Sequence, residues 1–398
     1  MNLLKSFATV GGMTMMSRVL GFVRDILIAA VLGTGPVADA FFVAFKFPNL
    51  FRRLFAEGAF NSAFVPLFAK RLEGEGEKSA RQFAEEAFAV LLTVLIVFTA
   101  IAQLAMPWLM YGIAPGFSDT PDKFDMAVVF TQIAFPYLLF MSLVALLSGV
   151  LNSLGKFAAA AFAPVLLNII LISTLLFAAP YFENAGLALV WGVSAAGVAQ
   201  LAMLVWAAHR AGFMPRLRMP KMTPGVKRLV VLGIPGVIAG GIAQINLLIG
   251  TIIASLQDGA VSWLYYADRV YQLPLGVIGI AIGIVLLPDL ARRLRADDGD
   301  GAMWSQNRAM EFSMLLTLPA AAALIAIPGP IIETLFERGA FDAADTLKTQ
   351  MALAAFAVGL PAFVLIKVFS PGFFAREHTV TPMRFAAAGI AVNVAGSL

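Results

Sequence analysis

Arginine, lysine and carboxylate residues recur inside stretches of this chain that are otherwise apolar, and these are the groups that could do chemistry. The first stretch reads Ser17-Arg18-Val19-Leu20-Gly21-Phe22-Val23-Arg24-Asp25. A second carries Asp39, Lys46, Arg52, Arg53 and Glu57, a third holds Asp268 and Arg269, and Lys367 stands in a fourth. If Arg18, Arg24 and Arg269 faced lipid, together they would cost on the order of 8–10 kcal/mol, at about 2.5–3.5 kcal/mol each. That rivals the stability of a whole domain, so these side chains are expected to face a hydrated, protein-lined cavity. At 100° per residue, Asp39, Lys46, Arg53 and Glu57 fall within about 40° of one helical stripe. Arg18 and Asp25 likewise share a face of the preceding helix. The first two stretches hold five Lys/Arg against three Asp/Glu, a surplus that suits an anionic guest. Guanidinium groups stay charged and match phosphate oxygens with a planar fork of donors. Plainer readings compete with these. Arg52 and Arg53 follow Pro48 and would snorkel to an interface, Arg18 with Asp25 would be an architectural ion pair, and Lys367 would either snorkel or line the cavity.

Composition narrows the class. Of 398 residues, 60% are hydrophobic and 13% charged, whereas soluble domains carry roughly a quarter charged residues. The chain has no cysteine and two histidines, His209 and His378, both in polar connections. Disulfides, thiolate metal sites and His-based triads are therefore excluded. No phosphate-cradling Gly-Lys loop is present, which argues against ATP hydrolysis. The expectation is a carrier rather than an enzyme, with no cofactor and no metal. The net charge of +4 comes from residues lying between apolar runs, the pattern of membrane topology rather than of nucleic-acid binding.

Candidate spans of about 20 apolar residues fall at 8–32, 37–69, 86–110, 126–152, 158–180, 185–208, 228–256, 262–291, 308–328, 347–370 and 382–398. The last is short of a secure span, which reads as a fragment of a longer protein. Connections after every second span are basic: Lys70, Arg71, Lys78 and Arg81; Lys156; Arg210, Arg216, Arg218, Lys221, Lys227 and Arg228; Arg292, Arg293 and Arg295; and Arg376. The alternate connections are neutral or acidic, including the stretch from Ser118 to Asp125 with three Asp and one Lys, and the solitary Glu183 and Asp258. The positive-inside rule then places the N-terminus and all the basic loops in the cytoplasm.

The chain also resembles itself at an offset of about 222 residues. Phe42-Val43-Ala44-Phe45-Lys46 aligns with Tyr265-Tyr266-Ala267-Asp268-Arg269, and Val65-Pro66-Leu67-Phe68-Ala69-Lys70-Arg71-Leu72 with Leu287-Pro288-Asp289-Leu290-Ala291-Arg292-Arg293-Leu294. An even number of spans separates the copies, so the repeat is parallel. The expected fold is an all-α polytopic membrane protein of two six-helix lobes around a V-shaped central cavity. Residues 1–209 form the first lobe, 210–227 a cytoplasmic basic linker, and 228–398 a second lobe that is incomplete. Facing repeats of this kind are the layout of alternating-access transporters.

At the same residues the sequence resembles the MurJ (MviN) lipid II flippases of the multidrug/oligosaccharidyl-lipid/polysaccharide exporter superfamily. The segments that carry the likeness are Ser17 to Asp25, Ala38 to Leu50, Arg52 to Phe60, Tyr265 to Arg269 and Lys367 to Phe374. The resemblance implies a carrier in the bacterial cytoplasmic membrane that moves undecaprenyl-pyrophosphate-linked disaccharide-peptide, lipid II, outward by alternating access. It implies Arg18, Arg24, Arg52 and Arg269 as substrate-binding residues. Ser17, Asp25, Asp39, Lys46, Arg53, Glu57, Asp268 and Lys367 are assigned to cavity support or coupling. Implied partners are lipid II and membrane lipids, for a monomer driven by a monovalent ion or the membrane potential. Some relatives carry an acid where this sequence has Gln272, so an ion-coupling role there is open. Two other readings remain at this point: a flippase for another polyprenyl-pyrophosphate oligosaccharide, and a cation-coupled multidrug exporter of the same superfamily.

Overall fold

The computed structural model of the chain describes residues 3–52, 61–376, 378 and 380–397. Its regular structure is helical throughout. In order come α1 (Leu3–Leu32), α2 (Pro36–Arg52), α3 (Asn61–Gly74), α4 (Glu77–Leu104), α5 (Met106–Ile113), α6 (Pro121–Ala134), α7 (Tyr137–Ser153), α8 (Ala158–Ser173) and α9 (Ala185–Arg210). They are followed by α10 (Pro224–Ser255), α11 (Ala260–Arg295), α12 (Gly299–Ala326), α13 (Pro328–Phe336), α14 (Ala343–Phe374) and α15 (Val380–Ser397). Among the described residues six stretches are long and apolar enough to cross a membrane: α4, α6 with α7, α8 with its following turns, α9, α12 and α14. Helix is the solution a bilayer demands, because every backbone polar group must be satisfied within its own segment.

Local signals set the helix ends. Gly33 takes φ 60° after α1 and Gly35 φ 126°, left-handed values that cost glycine little. Pro36 then opens α2, where its missing N–H is harmless. Asn184 caps α9 by accepting from Leu187 N at 2.8 Å, and Asp342 caps α14 in a reciprocal box with Asp345. The candidate span 37–69 is described in part, as α2 up to Arg52 and α3 from Asn61, and residues 53–60 lie outside the described residues. The candidate span 86–110 divides into α4 and α5, with Pro107 next to the junction, because proline suits only the first turn of the new helix.

The chain packs as two compact units, Met1–Asp258 and Gly259–Leu398. In the first, Phe64 stacks on Phe68 and Phe83 at 5.6 and 5.5 Å, and Phe213 meets Phe68 edge-on at 5.4 Å. Leu146, Leu147, Val150 and Leu204 close this core between α3, α4, α7 and α9. In the second unit, Tyr266 of α11 packs against Phe336 and Phe341, each at 5.4 Å, while α11, α12 and α14 pack together along their lengths. The order of elements repeats as the sequence does. α4 and α12 are both 28 residues long, and Glu77/Gly299 and Met106/Pro328 each stand 222 residues apart. α10, which occupies the place of α1 in the second copy, packs against α3, α4, α5 and the 3-10 turn Pro115–Asp119 of the first unit.

That last contact is tight. Gly116 N–H donates to Ser255 Oγ at 3.2 Å, and a Cβ at Gly116 would run into the Ser255 carbonyl and Leu256 Cα, both backbone. Gly116→Ala is therefore expected to destabilise the protein by about 1–3 kcal/mol through forced backbone displacement, read as a lowered midpoint of thermal unfolding in detergent.

Candidate functional site

α1, α2 and α8 meet at Arg24. Its Nε and Nη2 both donate to Asp25 Oδ1, at 3.0 and 2.7 Å, and its Nη1 donates to Asn168 Oδ1 at 2.8 Å. The amide of Asn168 in turn donates to the Ser17 carbonyl at 2.9 Å, with the Ser17 hydroxyl at 3.4 Å. The guanidinium lies 5.8 Å from the Phe45 ring centroid on α2. Arg24 is 8% exposed and Asp25 2%. The sequence reading expected Arg24 to face a hydrated, protein-lined cavity and weighed Arg18 as an architectural partner of Asp25. The structure instead gives Asp25 to its chain neighbour Arg24 and buries both, while Arg18 is exposed on α1. Asn168 ties the two ends of this arrangement, because its carbonyl takes the guanidinium and its amide holds α1 about two turns earlier.

The cluster offers the kind of group that anion binding uses. A planar fork is matched to a two-oxygen acceptor, and the Asp25 carboxylate already sits on one edge of it. The Asp25 carboxylate preserves the orientation of the guanidinium and lowers the cost of burying it.

A second buried ion cluster ties α2 to α6. Lys123 Nζ donates to Asp39 Oδ2 at 2.9 Å and to Asp258 Oδ1 at 2.8 Å, and it lies 4.2 Å from the Phe117 ring centroid. The side chains of Lys123 and Asp39 are 1% and 0% exposed, whereas that of Asp258 is 81% exposed. Asp39 was expected on a common stripe with Lys46, Arg53 and Glu57; here its carboxylate holds Lys123. Lys46 is half-buried on α2, Arg52 is the last described residue of that helix, and Arg53 and Glu57 lie outside the described residues.

In the second unit, Arg269 Nη2 stands 3.5 Å from Asp268 Oδ2 and the guanidinium lies 4.7 Å from the Tyr265 centroid. Gln272 donates to Asp268 from one turn further along α11. Lys367 is exposed on α14 with its ammonium 5.6 Å from the Phe363 centroid. Among the described residues no cluster of His, Cys, Asp or Glu could hold a metal ion.

Sequence reasoning missed Asn168, Lys123 and Asp258. Asn168 was findable, as a lone amide in the apolar run Val165-Leu166-Leu167-Asn168-Ile169-Ile170, where polar side chains find partners on neighbouring helices. Lys123 sits among aspartates in a connection that reads as solvated, and nothing local marks it as buried.

These helices define a class first. The fold superposes on an inward-facing multidrug-resistance MATE transporter of the MOP superfamily with TM-score 0.72 over 95% of this chain and 86% of that one, at 14% identity. That likeness concerns the fold alone. A solved structure described as lipid II flippase MurJ in an inward closed conformation matches with TM-score 0.83 and 25% identity, over 97% of this chain and 79% of that one. A Rhizobium meliloti (strain 1021) protein named "Probable lipid II flippase MurJ" is 57% identical over 402 residues, covering 100% of this chain and 75% of its own length. The family model described as lipid II flippase MurJ matches residues 28–398, and the chain belongs to that family.

The two clusters make separate predictions. Lys123→Met removes the cation from a fully buried carboxylate and is expected to cost about 3–5 kcal/mol. Asp39→Asn in the same chain should restore part of that loss, and a double-mutant cycle on thermal unfolding measures the coupling. Asn168→Leu deletes the bonds to Arg24 and Ser17 of α1 and should cost about 1–3 kcal/mol, while Asn168→Asp, which keeps an acceptor for Arg24, should cost less.

Proposed function

We propose that this protein carries lipid II from the cytoplasmic to the outer leaflet of the bacterial inner membrane, with its N-terminus in the cytoplasm. The observation that carries the reading is the buried Arg24 fork, braced by Asp25 and Asn168, in a helical chain of the MurJ family. The pyrophosphate of the substrate would be bound by Arg24 and by the exposed Arg18 on the same helix, with Arg52 and Arg269 contributing further positive charge. Asp25 would then act as a stand-in acceptor that yields to phosphate and re-engages after release. The remaining polar and charged residues, Ser17, Asp39, Lys46, Arg53, Glu57, Asp268 and Lys367, would support or couple the carrier.

Alternating exposure of this cationic site to the two leaflets needs no bond chemistry and no cofactor. With the cell interior negative, outward movement of anionic charge is favourable by about 2.3 kcal/mol per charge per 100 mV, and a monovalent ion would adjust the net charge moved. The reading includes a monomeric carrier. Family membership disfavours export of cationic drugs, and so does the surplus of cations on the first two helices, which would repel them.

Arg24→Ala should abolish growth in a strain depleted of its own lipid II flippase. Arg24→Lys keeps the charge and loses the fork, so partial activity, lower by about 10-fold or more, is expected from the loss of roughly 1.4 kcal/mol or more of bidentate bonding. Full growth of the Arg24→Ala strain, with normal outer-leaflet lipid II, would sink the assignment.

A further inference from the structure

Between α9 and α10 the chain runs without helix and is fastened along its length to α4. Arg81 Nη2 donates to the Gly212 carbonyl at 2.5 Å, and its guanidinium lies 4.9 Å from the centroid of the buried Phe213. Glu85, 1% exposed, accepts from the Arg216 backbone N–H at 3.1 Å and from Arg218 Nε at 2.5 Å. Thr223 Oγ1 donates to Glu86 Oε2 at 2.7 Å. A segment tied at these points is a strap with a fixed course, and the face it leaves outward is set by structure.

That face is unusual. Every residue from Arg216 to Met222 is exposed, and Leu217, Met219 and Met222 are 75%, 80% and 62% exposed. They alternate with Arg216, Arg218 and Lys221, and the run Arg216-Leu217-Arg218-Met219-Pro220-Lys221-Met222 contains no acid. Isolated exposed apolar side chains are ordinary, but a clustered apolar and cationic edge marks an interaction surface. Its depth can be read from α4. At 100° per residue, Glu86 shares a stripe, within about 20°, with Val97 and Leu104, which are 52% and 78% exposed in a candidate membrane span. The Glu86 anchor of the strap therefore stands at the head of an apolar, lipid-facing stripe.

We propose that Arg216–Met222 is an interfacial docking element that rests on the anionic lipids of the cytoplasmic leaflet. Leu217, Met219 and Met222 enter the boundary between headgroups and acyl chains, and Arg216 and Lys221 sit among the lipid phosphates. An acidic soluble protein would engage the cations as well, but it gives no reason for the strap to be anchored at the head of a lipid-facing stripe. The inference rests on the cytoplasmic placement of this segment in the functional reading above, and the test separates the two.

The chain has no cysteine, so Met219→Cys supplies a single thiol for an environment-sensitive fluorophore. The whole chain is reconstituted in vesicles of phosphatidylcholine alone or mixed with phosphatidylglycerol. In the mixed vesicles the emission should be blue-shifted and quenched by lipids spin-labelled just below the headgroup. Arg216→Gln with Lys221→Gln spares the Arg218–Glu85 contact and should lower the docked-to-undocked ratio about 30-fold, two cations at about 1 kcal/mol each. Raising salt from about 0.1 to about 1 M should act in the same direction. Water-like emission in both vesicle types would overturn the proposal and leave the edge to an acidic protein, and an equal shift in both would overturn the role of lipid charge. Labelling of Met219→Cys by an impermeant thiol reagent added outside intact cells would instead overturn the cytoplasmic placement.

Discussion

The cost of holding charge away from water organises this protein. An ionised side chain among apolar helices persists only where the surrounding groups answer it, and the buried charged groups described here sit at helix junctions. Arg24 ties α1 to α8 through Asn168, and Lys123 ties α2 to α6 and reaches Asp258 just beyond α10. Glu85 holds the strap that leads into α10. Between helices in a bilayer the hydrophobic effect offers little preference for one partner over another, so polar contacts and close packing decide which surfaces meet. The stacked Phe64, Phe68 and Phe83 provide the packing.

The two buried clusters differ in what they leave available. Lys123 lies between two carboxylates and a ring, an arrangement with an architectural purpose. Arg24 is held by the Asp25 carboxylate, the Asn168 amide and the Phe45 ring, in a protein whose next arginine on the same helix, Arg18, is exposed. Both cations join helices, Lys123 through carboxylates on other segments and Arg24 through an amide on α8 and its own chain neighbour.

Much of this was legible in the sequence. Hydropathy gave the all-helical membrane class, and the internal similarity at 222 residues reappears in the element order, with α4 matched by α12 and α5 by α13. Arg24 and Asp25 stood out because charge in an apolar run has few uses. The pairing was not legible. Helical spacing favours residues on one face, so it linked Arg18 to Asp25, whereas the flexible Arg24 side chain folds back onto the adjacent residue. Lys123 lies 84 positions from Asp39, and only the tertiary fold brings them together. The repeat itself was a poor guide to charge, since the position aligned with Asp39 is Ser262, also buried but neutral.

The placement of α10 has a consequence for biogenesis. In element order it opens the second copy, yet its contacts lie with α3, α4, α5 and the Pro115–Asp119 turn of the first unit. The first unit therefore cannot complete its own packing until synthesis has passed Asp258, by which point the opening helix of the second copy has already been made. Maturation of the two halves is in this way staggered and overlapping, and a nascent chain stalled before α10 would present an unfinished surface to the quality-control proteases of the membrane.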